Sequence, residues 1–351
     1  MATKRNYHDQ LTVDNNLKLR HLLKELPGFA ADYFRAIEPS TSSRTRIAYA
    51  YDLGVFFHYL KENNPSLKNT AITDIPLSFL DQLKPRDIEE YLDYLKVYER
   101  GEDEHTNETQ GIKRKLASLR SFYRYFYTNE DIQTNPASIV SLPKLREKEI
   151  IRLDVGEVAL LLDEVEKGDK LTKKQQGYHE KTKIRDVALM TMLLGTGMRV
   201  SECVGIDLKD IDNRNMAVKI RRKGGYEFVV YLSDEVYQVL MEYVEVRKQQ
   251  LAAEGHEDAL FLSLQNKRIS VRSVEKLVSK YANLITTMKH ITPHKLRSTY
   301  GTNLYRETGD IYLVADMLGH KDVNTTKKHY AAIDEERRRA NRNALRLRES
   351  D

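Results

Sequence analysis

The segment Met216-Ala217-Val218-Lys219-Ile220-Arg221-Arg222-Lys223-Gly224-Gly225-Tyr226-Glu227-Phe228-Val229-Val230-Tyr231-Leu232 contains two short runs of alternating apolar residues. Met216, Val218 and Ile220 form the first, and Phe228, Val230 and Leu232 the second, with Lys223-Gly224-Gly225 between them. Period-two alternation on both sides of a glycine-containing break predicts an antiparallel hairpin. It is the one convincing strand signal in the chain. The expected fold class is therefore mainly α, with a small antiparallel sheet confined to the second half.

Outward from the hairpin, apolar residues recur at helical spacing. Downstream, helices are expected over 234–254, 270–284 and 293–307. Upstream, an apolar helix is expected from Arg185 to Leu194, stopped by Gly195-Thr196-Gly197, and another from Asp154 to Glu166. The polar stretch 168–183 between them, rich in Lys and Gln, reads as an exposed loop or insertion. Before residue 140 the pattern predicts helices over 43–60, 86–98 and from near Thr106 to Tyr127. Residues 1–26 are polar and charged and read as an extension, a loose arm or a short helix. The segment from Asn135-Pro136 to Leu142-Pro143-Lys144 has two prolines and alternating charge, as an interdomain linker has. The expected layout is an extension over 1–26, a helical domain over 27–140, a linker over 141–152 and a second domain with a C-terminal tail over 153–351.

With 351 residues, two domains fit better than one core. Lys and Arg number 57 against 52 Asp and Glu, a net charge of +5. That mild basic excess is compatible with nucleic acid without specifying it. The helix ending at Tyr127 sharpens the point, because Lys113, Arg114, Lys115, Arg120 and Arg124 lie off its apolar stripe with Tyr and Phe interleaved. These, with Arg44 and Arg46 on the helix beginning at Ser43 and Lys144 in the linker, are the candidate DNA-contacting cations. Cys203 is the single cysteine, so an internal disulfide is excluded, and its apolar neighbours predict a small buried residue. No apolar run approaches the roughly 20 residues of a membrane span, and residues 1–10 lack a signal-peptide core. A cytoplasmic location is expected, with no membrane partner.

Familiar catalytic patterns are missing from the sequence. There is no phosphate-binding G-x-x-x-x-G-K-[ST] loop, no H-E-x-x-H and no paired C-x-x-C, so neither a cofactor nor a metal is expected. His294 and Arg297 stand three apart at the start of a helix, on neighbouring positions of one face, where a phosphate can bind. By itself the pair reads more readily as a surface histidine and an arginine matched to a carboxylate. Arg199 after a glycine turn, Lys223 at a hairpin tip, Gly319-His320 at a helix end and Tyr330, one of 21 tyrosines, are each commonplace alone.

Their order and spacing are not commonplace. G-T-G-M-R-V-S-E at 195–202, R-K-G-G at 222–225, H-K-L-R at 294–297, L-G-H at 318–320 and a tyrosine at 330 follow one another. His320 lies 23 residues after Arg297 (320 − 297), and Tyr330 lies 10 after His320 (330 − 320). The set resembles the tyrosine recombinase (phage integrase) family over roughly residues 27–345. Within it the chain is similar to the two-domain Xer-like members, since only about 26 residues precede the first helical domain. Ser298 stands where many family members have a second histidine, a departure expected to cost no activity.

The resemblance implies a helical, SAM-like core-binding domain followed by an α-rich catalytic domain. It implies that Arg199, Lys223, His294, Arg297, His320 and Tyr330 are catalytic and that Glu202 supports them. Tyr330 would attack a DNA phosphate, giving a 3′-phosphotyrosine and a free 5′-hydroxyl. Arg199 and Arg297 would grip the phosphate oxygens, His294 and His320 would add hydrogen bonds, and Lys223 would protonate the leaving oxygen. Metal and ATP would not be needed. The implied partners are double-stranded DNA bearing a specific recombination site and three further copies of the chain, a homotetramer on two sites passing through a Holliday junction. Residues 334–348, with six arginines, would dock on a neighbouring subunit. The biological task stays open between chromosome or plasmid dimer resolution and integration or excision of a mobile element. R-K-G-G and T-P-H-K-L-R are similar to Xer proteins that act alone. A type IB topoisomerase and a non-catalytic DNA-binding relative are the alternatives.

Overall fold

The computed structural model describes residues 6–100, 103–142, 151–222, 225–319 and 323. The chain divides into two compact bodies between Lys148 and Glu149.

The first body opens with α1 (Tyr7–Leu23), started by the Asn6 side chain, which accepts the Asp9 amide at 2.9 Å. The residues read as an extension are thus a 17-residue helix. It packs along α3 (Ser43–Asn63), which follows the short α2 (Ala30–Ala36), and sends Leu19 into the same core. α4 (Pro85–Tyr94) is shorter than the expected helix over 86–98. After it the chain makes a hairpin of β1 (Val97–Arg100) and β2 (Asp103–Thr106), between and overlapping the ends of the helices expected over 86–98 and from near Thr106. α5 (Thr109–Thr128) and the four-residue α6 (Pro136–Ile139) complete the body. Rings of Phe29, Tyr33, Phe57, Phe122 and Phe126 meet edge-on or tilted at centroid distances of 5.0–6.1 Å, an arrangement aromatic pairs favour.

Three of the expected DNA-contacting cations are used inside this body. Arg46 is buried and pairs with Glu38 at 2.6 Å and the Asn16 side chain at 3.2 Å. Lys115 is buried, donates to Asn107 at 3.0 Å and lies 3.8 Å from Asp52. Arg120 donates to the carbonyls of Ala137 and Val140, pinning α6 to α5. A buried charge is costly unless paired, and these partners supply the pairing, although the buried Arg46 Nε itself finds no acceptor among the described residues. Arg114 is half-exposed and holds the buried Asp52 carboxylate at 2.6 Å. Arg44 and Arg124 face solvent and Lys113 is half-buried; Lys144 lies outside the described residues.

The second body is built around α8 (Lys173–Thr196), which follows α7 (Val155–Lys167). Only residues 168–172 of the stretch 168–183 are a loop: α8 begins at Lys173, with Thr172 and Gln175 forming a reciprocal cap. Its first half buries polar side chains. His179 meets the Tyr281 hydroxyl at 3.0 Å, and Thr182 donates to Asp186 at 2.9 Å. Its second half is apolar, with Ala188, Leu189, Met190, Met192 and Leu193 at most 1% exposed. α8 ends at Gly197 and leads to the one-turn α9 (Val200–Cys203). Cys203 is buried among apolar neighbours as expected, and burial pushes its thiol up to about 12.

The expected hairpin is present. β4 (Ala217–Arg221) pairs antiparallel with β5 (Glu227–Tyr231), setting Val218 opposite Val230 and Ile220 opposite Phe228. A two-residue strand, β3 (Ile211–Asp212), pairs with the other edge of β4. α10 (Asp234–Lys248), α11 (Val271–Ile285), α12 (Pro293–Thr308) and α13 (Ile311–Leu318) follow. α10 stops six residues earlier than expected. Arg247 in its last turn donates to the carbonyls of Ala259 and Glu257, drawing the following loop back across the helix end.

Candidate active site

Gly197 closes α8 in the left-handed conformation, φ +61°, which a residue with a Cβ adopts only at a cost. A methyl there would also lie 2.2 Å from the Tyr300 ring. The turn therefore needs glycine twice over, and it delivers Arg199 to the N-cap of α9. Glu202, buried one turn on, accepts the Arg199 amide at 2.7 Å and its Nη1 at 2.8 Å. One carboxylate thus fixes both the backbone and the guanidinium of Arg199.

Arg297 reaches the same turn from α12. Pro293 occupies the first position of that helix, and Leu296 anchors it in the core. Arg297 itself is only 5% exposed. It donates Nη1 to the Gly197 carbonyl at 2.6 Å and Nη2 to the Leu318 carbonyl. His294 stands exposed on the first turn of the same helix, three residues earlier, and its carbonyl accepts the Ser298 hydroxyl at 3.1 Å.

The last turn of α13 is where these groups converge. The Asp316 carbonyl accepts the Gly319 amide at 2.8 Å, and cations complement the carbonyls at the negative end of the helix dipole. Arg222 donates to the carbonyls of Asp316 at 3.1 Å and Met317 at 2.9 Å. Arg297 takes the Leu318 carbonyl and Arg199 the Gly319 carbonyl at 3.4 Å. Three arginines from separate elements thus hold four consecutive carbonyls, immediately before His320. Arg199, Glu202 and Arg297 come together as the sequence implied. Arg222 was not singled out; its only signal was a place beside Lys223 in the R-K-G-G run. Lys223, His320 and Tyr330, with the tail over 334–348, lie outside the described residues.

Residues 152–337, more than half of the chain, match the phage integrase family. The chain belongs to that family. Over 350 residues it is 33% identical to tyrosine recombinase XerC of Caldanaerobacter subterraneus subsp. tengcongensis, covering 96% of this chain and 90% of the relative. It is 30% identical to tyrosine recombinase XerS of Lactococcus lactis subsp. cremoris, covering 93% of this chain and 97% of that one. Among solved structures, the XerH site-specific recombinase bound to palindromic difH substrate matches with a TM-score of 0.63 and 19% identity, over 85% of this chain and 79% of that one. The Tn1549 transposon integrase in complex with circular intermediate DNA matches with a TM-score of 0.61 and 21% identity, over 88% and 97%. These two share the fold: a helical N-terminal domain and a mostly helical catalytic domain with a small sheet.

Proposed function

We propose that this phage integrase family member is a site-specific tyrosine recombinase. It cleaves and rejoins double-stranded DNA through a 3′-phosphotyrosine on Tyr330 and passes through a Holliday junction. The observation that carries the reading is the convergence of Arg199 and Arg297 on adjacent carbonyls directly before His320. Two permanently cationic forks, held by buried partners, form a site for a phosphate whose charge grows in the transition state.

In this reading the Tyr330 hydroxyl attacks phosphorus, and the bond from phosphorus to the 5′-oxygen breaks. A phenol of pKa about 10 is a weak nucleophile at neutral pH, so its proton passes to a neighbouring base as the bond forms. His294 and His320 bond the phosphate oxygens or accept that proton. Lys223 gives a proton to the leaving 5′-oxygen. The phosphodiester energy is kept in the phosphotyrosine, so religation needs no ATP, and two arginines with a lysine supply the charge a metal would otherwise provide. Arg44, Lys113, Arg114, Arg124 and Lys144 are the cations proposed to meet the DNA backbone. Four copies act on two sites, with residues 334–348 of each docking on its neighbour. Because the Xer relatives run along nearly the whole chain, recombination is favoured over topoisomerase activity.

The test is covalent capture. Protein is incubated in EDTA, without ATP, with a library of nicked duplexes randomised across the central base pairs, and protein–DNA adducts are recovered under denaturing conditions. Enrichment of a sequence by the wild type but not by Tyr330→Phe supports the proposal. An adduct that persists with Tyr330→Phe overturns the nucleophile, and no enrichment above Tyr330→Phe overturns the recombinase reading. Truncation after Asp334 that leaves full strand exchange overturns the docking role of the tail.

A further inference from the structure

Arg222 is spent in an unusual way for a residue at the end of a hairpin strand. Its backbone closes the turn, donating to the Tyr226 carbonyl at 2.8 Å and accepting the Gly225 amide at 3.0 Å. Its guanidinium lies over the Phe228 ring, 3.3 Å from the centroid, and donates to the carbonyls of Asp316 and Met317. A Cβ on Gly319, itself left-handed at φ +59°, would meet that guanidinium at 3.0 Å. The side chain is also within electrostatic reach of Glu202, which favours its charge, and of Arg199, which opposes it. One residue therefore touches the hairpin, the α13 end and the electrostatics of the arginine pair at once.

A two-stranded ribbon end is a weakly held element, and β4–β5 pairing ends at Arg221 opposite Glu227. Beyond that pair the contacts of the described residues include the backbone bond from Arg222 to Tyr226 and the bonds of the Arg222 guanidinium to α13. Lys223 follows Arg222 by one peptide bond, and His320 follows Gly319 by one, so each alpha carbon lies about 3.8 Å from that of its neighbour. The bond from Arg222 to α13 therefore ties together the two chain points from which Lys223 and His320 depart. Arginine suits the task because its planar fork reaches two successive carbonyls while its face stacks on a ring; the lysine ammonium is a point charge with no flat face to stack and no fixed fork.

The geometry points to Arg222 as a positioning residue that clamps the Lys223 hairpin to the end of α13 and so sets the proton donor against the leaving oxygen. This rests on the reading of Lys223 as that donor. Arg222 itself does not touch the reacting atoms. Its removal misplaces Lys223 without removing it, a displacement that costs on the order of 10- to 100-fold in rate.

The experiment compares two leaving groups on one duplex recovered by covalent capture: the ordinary phosphate, and a phosphate whose bridging 5′-oxygen is replaced by sulfur. Cleavage of the second breaks a phosphorus–sulfur bond and releases a thiolate, which needs no proton to leave because a thiol is far more acidic than an alcohol. Arg222→Met, which keeps a chain to lie on Phe228, is expected to bind the duplex as the wild type does. It should cleave the oxygen substrate at least 10-fold more slowly and the sulfur substrate at close to the wild-type rate. Arg222→Lys should fall between. If Arg222→Met fails to fold, the ratio of the two substrates in Arg222→Lys is read instead. A defect of equal size on both substrates, or no defect, overturns the proposal, since a purely structural cap would not discriminate the leaving atom. Lys223→Ala separates the two levels. If it too gains nothing from sulfur, the proton-donor reading fails; if it is rescued while the Arg222 variants are not, only the positioning role fails.

Discussion

Arg297 donates Nη1 to the carbonyl of Gly197 at 2.6 Å, across 100 residues of chain. That bond joins the end of α8 to the first turns of α12, and Gly197 sits two residues before Arg199. The buried guanidinium is thus part of the frame and part of the proposed phosphate site at the same time. Its second amino group on the Leu318 carbonyl extends the frame to the residue two before His320.

Arg297→Lys keeps the charge and removes the fork. A lysine reaching one of the two carbonyls leaves the other unmet in a buried place, a loss of about 1–3 kcal/mol in stability. The effect on the reaction should be larger. Removing one preorganised donor from a developing oxyanion costs on the order of 100- to 1,000-fold in rate. The measurement is the rate of adduct formation on a captured duplex, beside the thermal midpoint. A variant that cleaves within a few-fold of the wild type would remove Arg297 from the phosphate site.

Gly197→Ala tests the turn itself. The left-handed backbone costs a side chain about 1–2 kcal/mol, and a methyl 2.2 Å from the Tyr300 ring adds a repacking cost of about 1–3 kcal/mol. Gly255→Ala is the matched control, because φ there is +80° and nothing lies within 4 Å of an added methyl. Equilibrium urea unfolding should show a loss of about 2–5 kcal/mol at position 197 against about 1–2 kcal/mol at 255. Equal losses at the two positions would show that Tyr300 moves aside freely.

The parts of this structure legible in the sequence are those whose pattern has one physical meaning. Val218, Ile220, Phe228 and Val230 alternate because one face of a ribbon is covered, and the registered pairs follow from that. The first half of α8 was hidden because its inward face is His179, Thr182 and Asp186, whose hydrogen bonds hydropathy does not register. The β1–β2 hairpin was hidden for the opposite reason: β2 is exposed on both faces, so it has no period to read. Basic residues on a helix are ambiguous in principle, since a guanidinium aimed at a phosphate and one aimed at carbonyls have the same spacing. Arg120 proved to be of the second kind, and Arg46 is likewise held inside the body, by the Glu38 carboxylate and the Asn16 side chain. At the candidate site, motif order brought Arg199, Glu202 and Arg297 into view, whereas Arg222 became visible only once the α13 carbonyls were located.

Cys203 predicts a pH dependence. Burial raises its thiol to about 12 in the fold from an ordinary 9.0. Above pH 9 the unfolded chain releases this proton and the folded chain keeps it, so the folded state binds more protons. Stability then falls as pH rises, by up to about 1.4 kcal/mol per pH unit from this one group. Below pH 9 the contribution is complete. Urea unfolding at pH 8, 9 and 10 should show a steeper alkaline decline for the wild type than for Cys203→Ala. Parallel curves would mean that the thiol ionises as easily folded as unfolded. In the same window, an alkylating reagent should modify the native protein only as fast as it opens.

Glu202 separates charge from geometry at Arg199. Its two oxygens accept the amide and the guanidinium of the same residue, at 2.7 and 2.8 Å. Glu202→Gln retains one acceptor and turns an amide donor toward the other group. Glu202→Ala leaves both donors unmet and Arg199 free to change rotamer. Adduct formation should fall in the order Glu, Gln, Ala, by about 10-fold for Gln and on the order of 100-fold for Ala, the scale of a misplaced phosphate ligand. DNA affinity, set mainly by backbone contacts elsewhere, should change little and keep its salt dependence. Titrating binding and single-turnover cleavage on one duplex separates the two effects. If the alanine variant loses affinity as much as rate, Glu202 serves DNA binding instead of holding Arg199 for the reaction.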